Sequence, residues 1–356
     1  MEGVRPFEAS DLEAVAGLFG ALLLGRSREP APDIVAYLRA TLLDPPWRDP
    51  ELPSLVYVGR GDQVVGFIGS NVRRLEGGGG PVRAVWCSHL MVAPEHRNGP
   101  AGVRLLRRLL AGPQDLTATD TASALVQQMW EALGGRADPL RSLQWMHVLR
   151  PARWLTEVAL RRLAGEAPSS RLTPVAAVPF HIVGQRLAGR PVRIADPEVT
   201  SEPLSADDVL SNVDGVLGWS RLHPAYDRRY LDWLFEQMAA MPSYGELNLR
   251  LVRRREQVLG WHGAYIRRGA RSRVVVVAAR RREVDAVVGD VFEHARAKGA
   301  ALITGRMEPH LTGALLRRLC VIGSASRCLV HARDPALVDL LLGGGGAISR
   351  MDGEWW

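Results

Sequence analysis

Two α/β (α+β layered) domains in tandem, each a mixed, mostly antiparallel sheet flanked by helices, are what this sequence predicts. Three observations lead there. The chain of 356 residues, 47% hydrophobic and 23% charged, has ordinary globular composition and is too long for one small core. In its first 150 residues a helical period gives way to short β-branched and aromatic runs, and then to alternating helix and strand. Beyond residue 190 the same order of elements returns, which suggests a duplicated fold without a visible sequence repeat.

Residues 8–24 carry apolar side chains at helical spacing, with Ser10 and Asp11 as an N-cap region, and 33–43 predict a second helix stopped by Asp44-Pro45-Pro46. The runs 54–58 and 63–71 predict a hairpin about Gly59-Arg60-Gly61-Asp62. Residues 76–81, with their glycine run, predict the next turn; they lack a following helix and a Gly-Lys-Ser/Thr ending, so they are no phosphate loop. A third strand over 82–92 ends at Ala93-Pro94, and helices over 103–110 and 122–133 alternate with strands at 115–120 and 142–149. Residues 151–189, broken by Pro168, Pro174 and Pro179, are expected as a helical linker, so that domain one spans 1–150 and domain two 190–356. In the second domain a short strand is expected within 190–202, helices at 205–217 and 227–240, and strands at 246–252, 257–266 and 272–278. A helix at 284–297, a strand at 301–304, a helix at 311–319 and a strand at 327–332 complete it.

Charge and cysteine content exclude several function classes. The net charge of +7 comes almost wholly from arginine, Lys298 being the only lysine, and the cations are spread along the chain. That pattern argues for a salt-bridged surface and against a nucleic-acid partner, and it favours an acidic ligand carrying phosphates. Cys87, Cys320 and Cys328 form neither a CxxC pair nor a metal-ligand spacing, so no metal site and no disulfide frame are expected. No signal peptide is read at the start, and no stretch reaches the ~18 apolar residues of a membrane span. A cytoplasmic protein is the expectation, and an oligomer is compatible with it.

The chemistry is concentrated at one strand-to-helix corner. After the strand ending at Met91-Val92, the residues His96, Arg97, Asn98, Gly99, Pro100, Ala101, Gly102 and Val103 lead into a helix. Such a corner presents backbone N–H groups and the positive end of a helix dipole, and small residues let a bulky anion approach. Arg97 and Arg104 can add charge-assisted bonds.

This stretch, Leu90-Met91-Val92-Ala93-Pro94-Glu95-His96-Arg97-Asn98-Gly99-Pro100-Ala101-Gly102, resembles the acyl-coenzyme A signature of the GCN5-related N-acetyltransferase superfamily, a V-x-P phrase followed by [RQ]-x-x-G-x-[GA]. His96 stands where the signature has Arg or Gln. The resemblance implies acetyl-CoA or another acyl-CoA, with Met91 and Val92 as backbone partners of its pantetheine arm and His96 to Val103 as the pyrophosphate cradle. Downstream, Ser123 to Gly135 is similar to the family phrase N-x-x-A-x-x-x-Y-E-x-L-G-F, with Ser123 in the place of the asparagine and Trp130 in the place of the tyrosine that usually protonates the departing thiolate. An indole N–H cannot play that acid role. For the base, the strand offers Ser88 and His89, which as consecutive strand residues should face opposite sides; His89 has the right intrinsic pKa.

At the equivalent corner of the second domain, Ala278 to Val284 holds no glycine, and Arg317 to Gly323 holds no tyrosine, so a degenerate copy without a coenzyme site is expected. Aromatic and charged residues at Leu222 to Tyr230 and at Asp352 to Trp356 could line a groove or simply pack. The function that follows is direct transfer of an acyl group to the amine of a small-molecule or peptide acceptor. Two alternatives stay open: a non-catalytic coenzyme A sensor or scaffold, favoured by Trp130, and an aminoacyl transferase of the peptidoglycan-bridge kind, which also has two such domains.

Overall fold

The computed structural model describes residues 2–77, 79–151, 196 and 198–353. Except for Pro151, the expected linker lies outside them, as do Gly78 and the final three residues. The chain divides into two compact units, the first made of Met1–Ala137, Pro224–Gln237 and Cys328–Leu342 and the second of Asp138–His223, Met238–Arg327 and Gly343–Trp356.

In the first unit, β1 (Gly3–Pro6) precedes α1 (Leu12–Leu23) and α2 (Pro32–Leu38), which π-helical residues Arg39–Leu43 extend. The start of α1 is organised by Asp11, not Ser10: its carboxylate accepts from the Glu8 backbone N–H at 2.9 Å and from the Arg5 guanidinium at 2.7 Å. Then come β2 (Leu55–Val58), β3 (Val64–Gly77), β4 (Gly80–Val92), α3 (Ala101–Leu110), β5 (Leu116–Ala122), α4 (Ala124–Ala132) and β6 (Arg136–Asp138). The helix α3 shows why it docks: Leu105, Leu106, Leu109 and Leu110 are buried while Arg104, Arg107 and Arg108 stay exposed. Its apolar stripe joins a core built with Phe7, Val56, Phe67, Ile68 and Met91.

The second half of the chain repeats the plan, although its segments Pro224–Gln237 and Cys328–Leu342 belong to the first unit. β7 (Leu143–Val148), β8 (Val199–Pro203), a helix over Ala206–Leu217 and the short β9 (Leu222–Pro224) come first. A helix over Arg228–Ala239 leads to β10 (Glu246–Arg254), β11 (Gln257–Ile266) and β12 (Arg271–Ala279), then a helix over Val284–Ala297 and β13 (Leu302–Arg306). A short helix over Thr312–Arg317, β14 (Val321–Ser324), β15 (Arg327–Ala332) and a helix over Pro335–Leu342 end the series.

The two sheets have the same plan with one strand traded. The first runs β1-β2-β3-β4-β5-β15-β6, and the second, in the same sense, β8-β10-β11-β12-β13-β7-β14. The place between the fifth strand and the last is thus filled in each sheet by a strand from the other half of the sequence. Burial accounts for it: Leu329 of β15 belongs to the first core, and Trp145 of β7 to the second. The sequence predicts both strands but carries no sign of which sheet each joins. It also misses β1, β6, β9 and β14, all of four residues or fewer, too short to display a period.

Candidate functional site

In the first unit, β4 and β5 run parallel through three pairs, Ala84–Leu116, Val85–Thr117 and Trp86–Ala118, and then continue without further pairing to Val92 and Ala122. Past Trp86, therefore, no strand among the described residues pairs with the far edge of β4. On its other side β4 stays paired with β3, except at a bulge: Ser88 pairs with Gly69 and Met91 with Phe67, so His89 and Leu90 together oppose Ile68. His89 adopts φ 52°, a left-handed conformation uncommon for a residue with a side chain. Ala93 donates to Val65 at 2.8 Å, which fixes the alternation: Met91 turns its peptide groups to β3, and Val92 turns its own to the open side. Of the two strand residues expected to hold a ligand by their backbones, Val92 is on that edge; Met91 is buried and paired.

The corner that follows is compact and exposed. His96, in a single 3-10 turn over Pro94–His96, donates to Ala93 at 2.8 Å, and the Gly99 N–H donates to His96 at 3.0 Å. Pro100 is the N-cap of α3 with no side-chain cap, and Arg104 N–H makes the first helical bond, to Pro100 at 2.9 Å. Ala101, Gly102 and Val103 are thus the first-turn donors for which a helix provides no partner. No acidic residue stands in that turn. A Cβ on Gly102 would meet only Val92 Cγ2, at 3.5 Å, and one on Gly99 would meet the His96 carbonyl at 3.2 Å. Neither glycine is demanded by a left-handed φ. Arg97 donates from Nε to the Val92 carbonyl at 3.3 Å, and Arg104 to the Tyr57 hydroxyl at 3.0 Å. Asn98 is exposed beside them.

Two of the sequence-predicted site residues have structural employment. Ser123 caps α4, its side chain accepting from Val126 N–H at 3.3 Å. Trp130 has no exposed surface, and its indole N–H donates to the Val330 carbonyl of β15 at 3.0 Å. A Cβ on Gly135 would lie 1.9 Å from the indole, so glycine there is a consequence of the ring's position. Trp130 faces the core, and the expectation that it borders the coenzyme is corrected accordingly.

Ser88 is buried and its hydroxyl receives an N–H from Asn71 at 2.8 Å. His89 is half-buried instead, in a nest of rings: its centroid is 5.1 Å from Phe19 and 6.3 Å from Tyr37, and its Nε2 lies 3.2 Å from the Tyr37 hydroxyl. Desolvation pushes the imidazole down to about 4, so it is neutral at pH 7. Phe19, Tyr37 and Asn71 went unnoticed in the sequence; Phe19 and Tyr37 come from helices whose apolar positions read simply as core. The aromatic run near Tyr230 packs: Tyr230 is buried and stacked on Trp47 at 3.5 Å.

The second unit has the matching gap. Its β12 and β13 pair in parallel only from Arg271–Leu302 to Arg273–Thr304. Here the open edge of β12 is occupied by the unit's own groups. Met351 N–H donates to Val275 at 2.9 Å, His310 Nε2 lies 3.1 Å from the Val277 carbonyl, and Trp219 Nε1 donates to Ala279 at 3.0 Å. The following helix begins with Glu283 and Asp285, whose carboxylates are held by Arg254 and by Arg317 and Arg318. A phosphate would meet negative charge at that helix start.

No protein-family profile and no curated protein matches this sequence. Solved structures do. A GCN5-related N-acetyltransferase from Anabaena variabilis ATCC 29413 matches with TM-score 0.60 at 11% identity, over 94% of this chain and 74% of its own. A conserved protein of Enterococcus faecalis V583, described as a probable N-acyltransferase, matches with TM-score 0.59 at 10% identity, over 93% and 73%. Saccharomyces cerevisiae N-myristoyltransferase, solved with bound myristoyl-CoA, matches with TM-score 0.51 at 11% identity, over 92% and 78%. The chain has the GCN5-related N-acetyltransferase fold, in a tandem arrangement with two sheets.

Proposed function

We propose that the protein is an acyl-CoA-dependent N-acyltransferase whose single coenzyme site lies in the first unit. The observation that carries this reading is the conjunction of an unpaired β4 edge at Val92 with the uncapped, carboxylate-free start of α3. Donors at Ala101, Gly102 and Val103 suit a pyrophosphate, each charge-assisted bond contributing about 1.5–3 kcal/mol. Arg97 adds a cation beside the same edge. The bound thioester supplies an activated acyl group. His96, Asn98, Gly99 and Pro100 shape the cradle, and His89, at the β3–β4 bulge beyond the point where β4 and β5 part, is the candidate base, while Ser88 beside it accepts from Asn71. The acceptor is an amine. Acetyl is the acyl group favoured by the family resemblance.

Gly102→Glu puts bulk and charge at the cradle. It is expected to weaken acetyl-CoA binding by about 100-fold in calorimetry while leaving the melting temperature close to the parent's; unchanged affinity would remove the assignment. A second reading, coenzyme binding without turnover, draws support from the burial of Trp130, which leaves no tyrosine acid at that position. Release of free thiol from acetyl-CoA in the presence of amines separates the two.

A further inference from the structure

The ring nest around His89 bears on which amine the site takes, and this inference rests on the proposed function above. Phe19 comes from α1, Tyr37 from α2 and His89 from the bulge of β4, and the three rings lie in mutual contact with centroids 5.1 to 6.3 Å apart. All three are half-buried, so each keeps a surface to offer. The trio itself carries no charge at neutral pH: two are hydrocarbon or phenol, and burial holds the imidazole neutral. Asp33, one turn from Tyr37 on the same helix, is exposed and already ion-paired with Arg26 at 3.0 Å.

We propose that the acceptor is a weakly basic aromatic amine, its ring packed against Phe19, Tyr37 and His89 and its nitrogen hydrogen-bonded to the Tyr37 hydroxyl oxygen. Edge-to-face contact between such rings contributes about 0.5–1.5 kcal/mol beyond area burial. An alkylamine arrives protonated, as lysine does with its pKa near ~10.4, and needs a base before it can attack. An aromatic amine arrives neutral. Its nitrogen attacks the thioester carbonyl; the C–N bond forms and the C–S bond breaks. The nitrogen gives a proton to Tyr37 Oη as the Tyr37 hydroxyl proton passes to His89 Nε2; His89 then releases that proton to water, from which the thiolate takes one up, so that amide and free thiol leave and Tyr37 and His89 return to their starting state. A relay ending on a weakly basic imidazole serves a weakly basic nitrogen, whose proton becomes acidic on attack.

The test compares 4-methoxyaniline with cyclohexylamine at pH 7, with acetyl-CoA as donor and free thiol as the readout. The aromatic amine is expected to show kcat/KM at least about tenfold higher, with Tyr37→Phe lowering kcat on it about tenfold or more at little change in KM, and Phe19→Ala raising KM. Melting temperatures close to the parent's keep these effects separate from folding. Equal or better use of cyclohexylamine, or a Tyr37→Phe variant with unchanged kcat, overturns the proposal. If acetyl-CoA binds by calorimetry but neither amine is acylated, the acceptor assignment fails and the coenzyme site stands. If acetyl-CoA does not bind, the proposed function fails and takes this inference with it.

Discussion

The gap between the fourth and fifth strands is open in the first unit and filled in the second, although the two sheets are built to one plan. In the first, Val92 turns its peptide groups to an edge where no described strand pairs, its carbonyl accepting from Arg97 Nε, and α3 begins without cap or carboxylate. In the second, Met351, His310 and Trp219 satisfy the carbonyls of Val275, Val277 and Ala279, and Glu283 and Asp285 meet the helix dipole. Buried backbone groups must find partners. A fold that parts two strands leaves an edge to be satisfied; the second unit satisfies its own from within, and the proposed coenzyme site is the counterpart of that edge in the first.

The comparison is broken most severely by separating the halves. A fragment ending at Arg150 lacks β15, which sits between β5 and β6 and brings the Val330 carbonyl to Trp130. It also carries β7, whose ladder partners are β13 and β14. The fragment is expected to show no cooperative thermal transition in circular dichroism and no acetyl-CoA binding. A fragment that melts cooperatively and binds would show that the strand exchange is dispensable.

A milder perturbation is Trp130→Phe. It removes the N–H that satisfies the Val330 carbonyl, at a cost of about 1–3 kcal/mol, plus a small cavity. The melting temperature is expected to fall by several degrees with acetyl-CoA affinity within about threefold, since the ring has no surface to offer a ligand. A large loss of affinity at unchanged stability would put Trp130 back beside the coenzyme.

These outcomes also mark what the sequence could say. The corner at Gly99 to Val103 was legible because its chemistry is local: a strand end, small residues and a helix start follow one another in the chain. The strand exchange was not, since Leu143–Val148 and Arg327–Ala332 have the same composition whichever sheet they join. Nor was the fate of Trp130, whose partner lies 200 positions away. The bulge at His89 leaves no trace in an alternating pattern, so the strand rule that separates Ser88 from His89 could not foresee the ring nest.

Protonation offers a smaller test, in which a residue of the second unit decides the alkaline side. Burial pushes Glu308 up to about 8, and burial holds His89, His294 and His310 each near 4. Between pH ~4.5 and ~6.5 the unfolded chain binds protons on the three histidines that the native chain refuses, against one that native Glu308 keeps, so stability rises with pH. From pH ~7 to ~8 the unfolded histidines have lost most of their protons while native Glu308 keeps its own, so the native state holds more protons and stability falls. The melting temperature should peak near pH ~7, and Glu308→Gln should abolish the decline above it. A parent curve that keeps rising to pH 8 would show that Glu308 is ionised in the folded protein.

The most direct test of an open site in one unit and a filled one in the other is the stoichiometry of acetyl-CoA on the intact chain by titration calorimetry. One site per chain is expected, and Gly102→Glu should eliminate its heat. Two sites per chain, or one site whose affinity survives Gly102→Glu, would contradict the account.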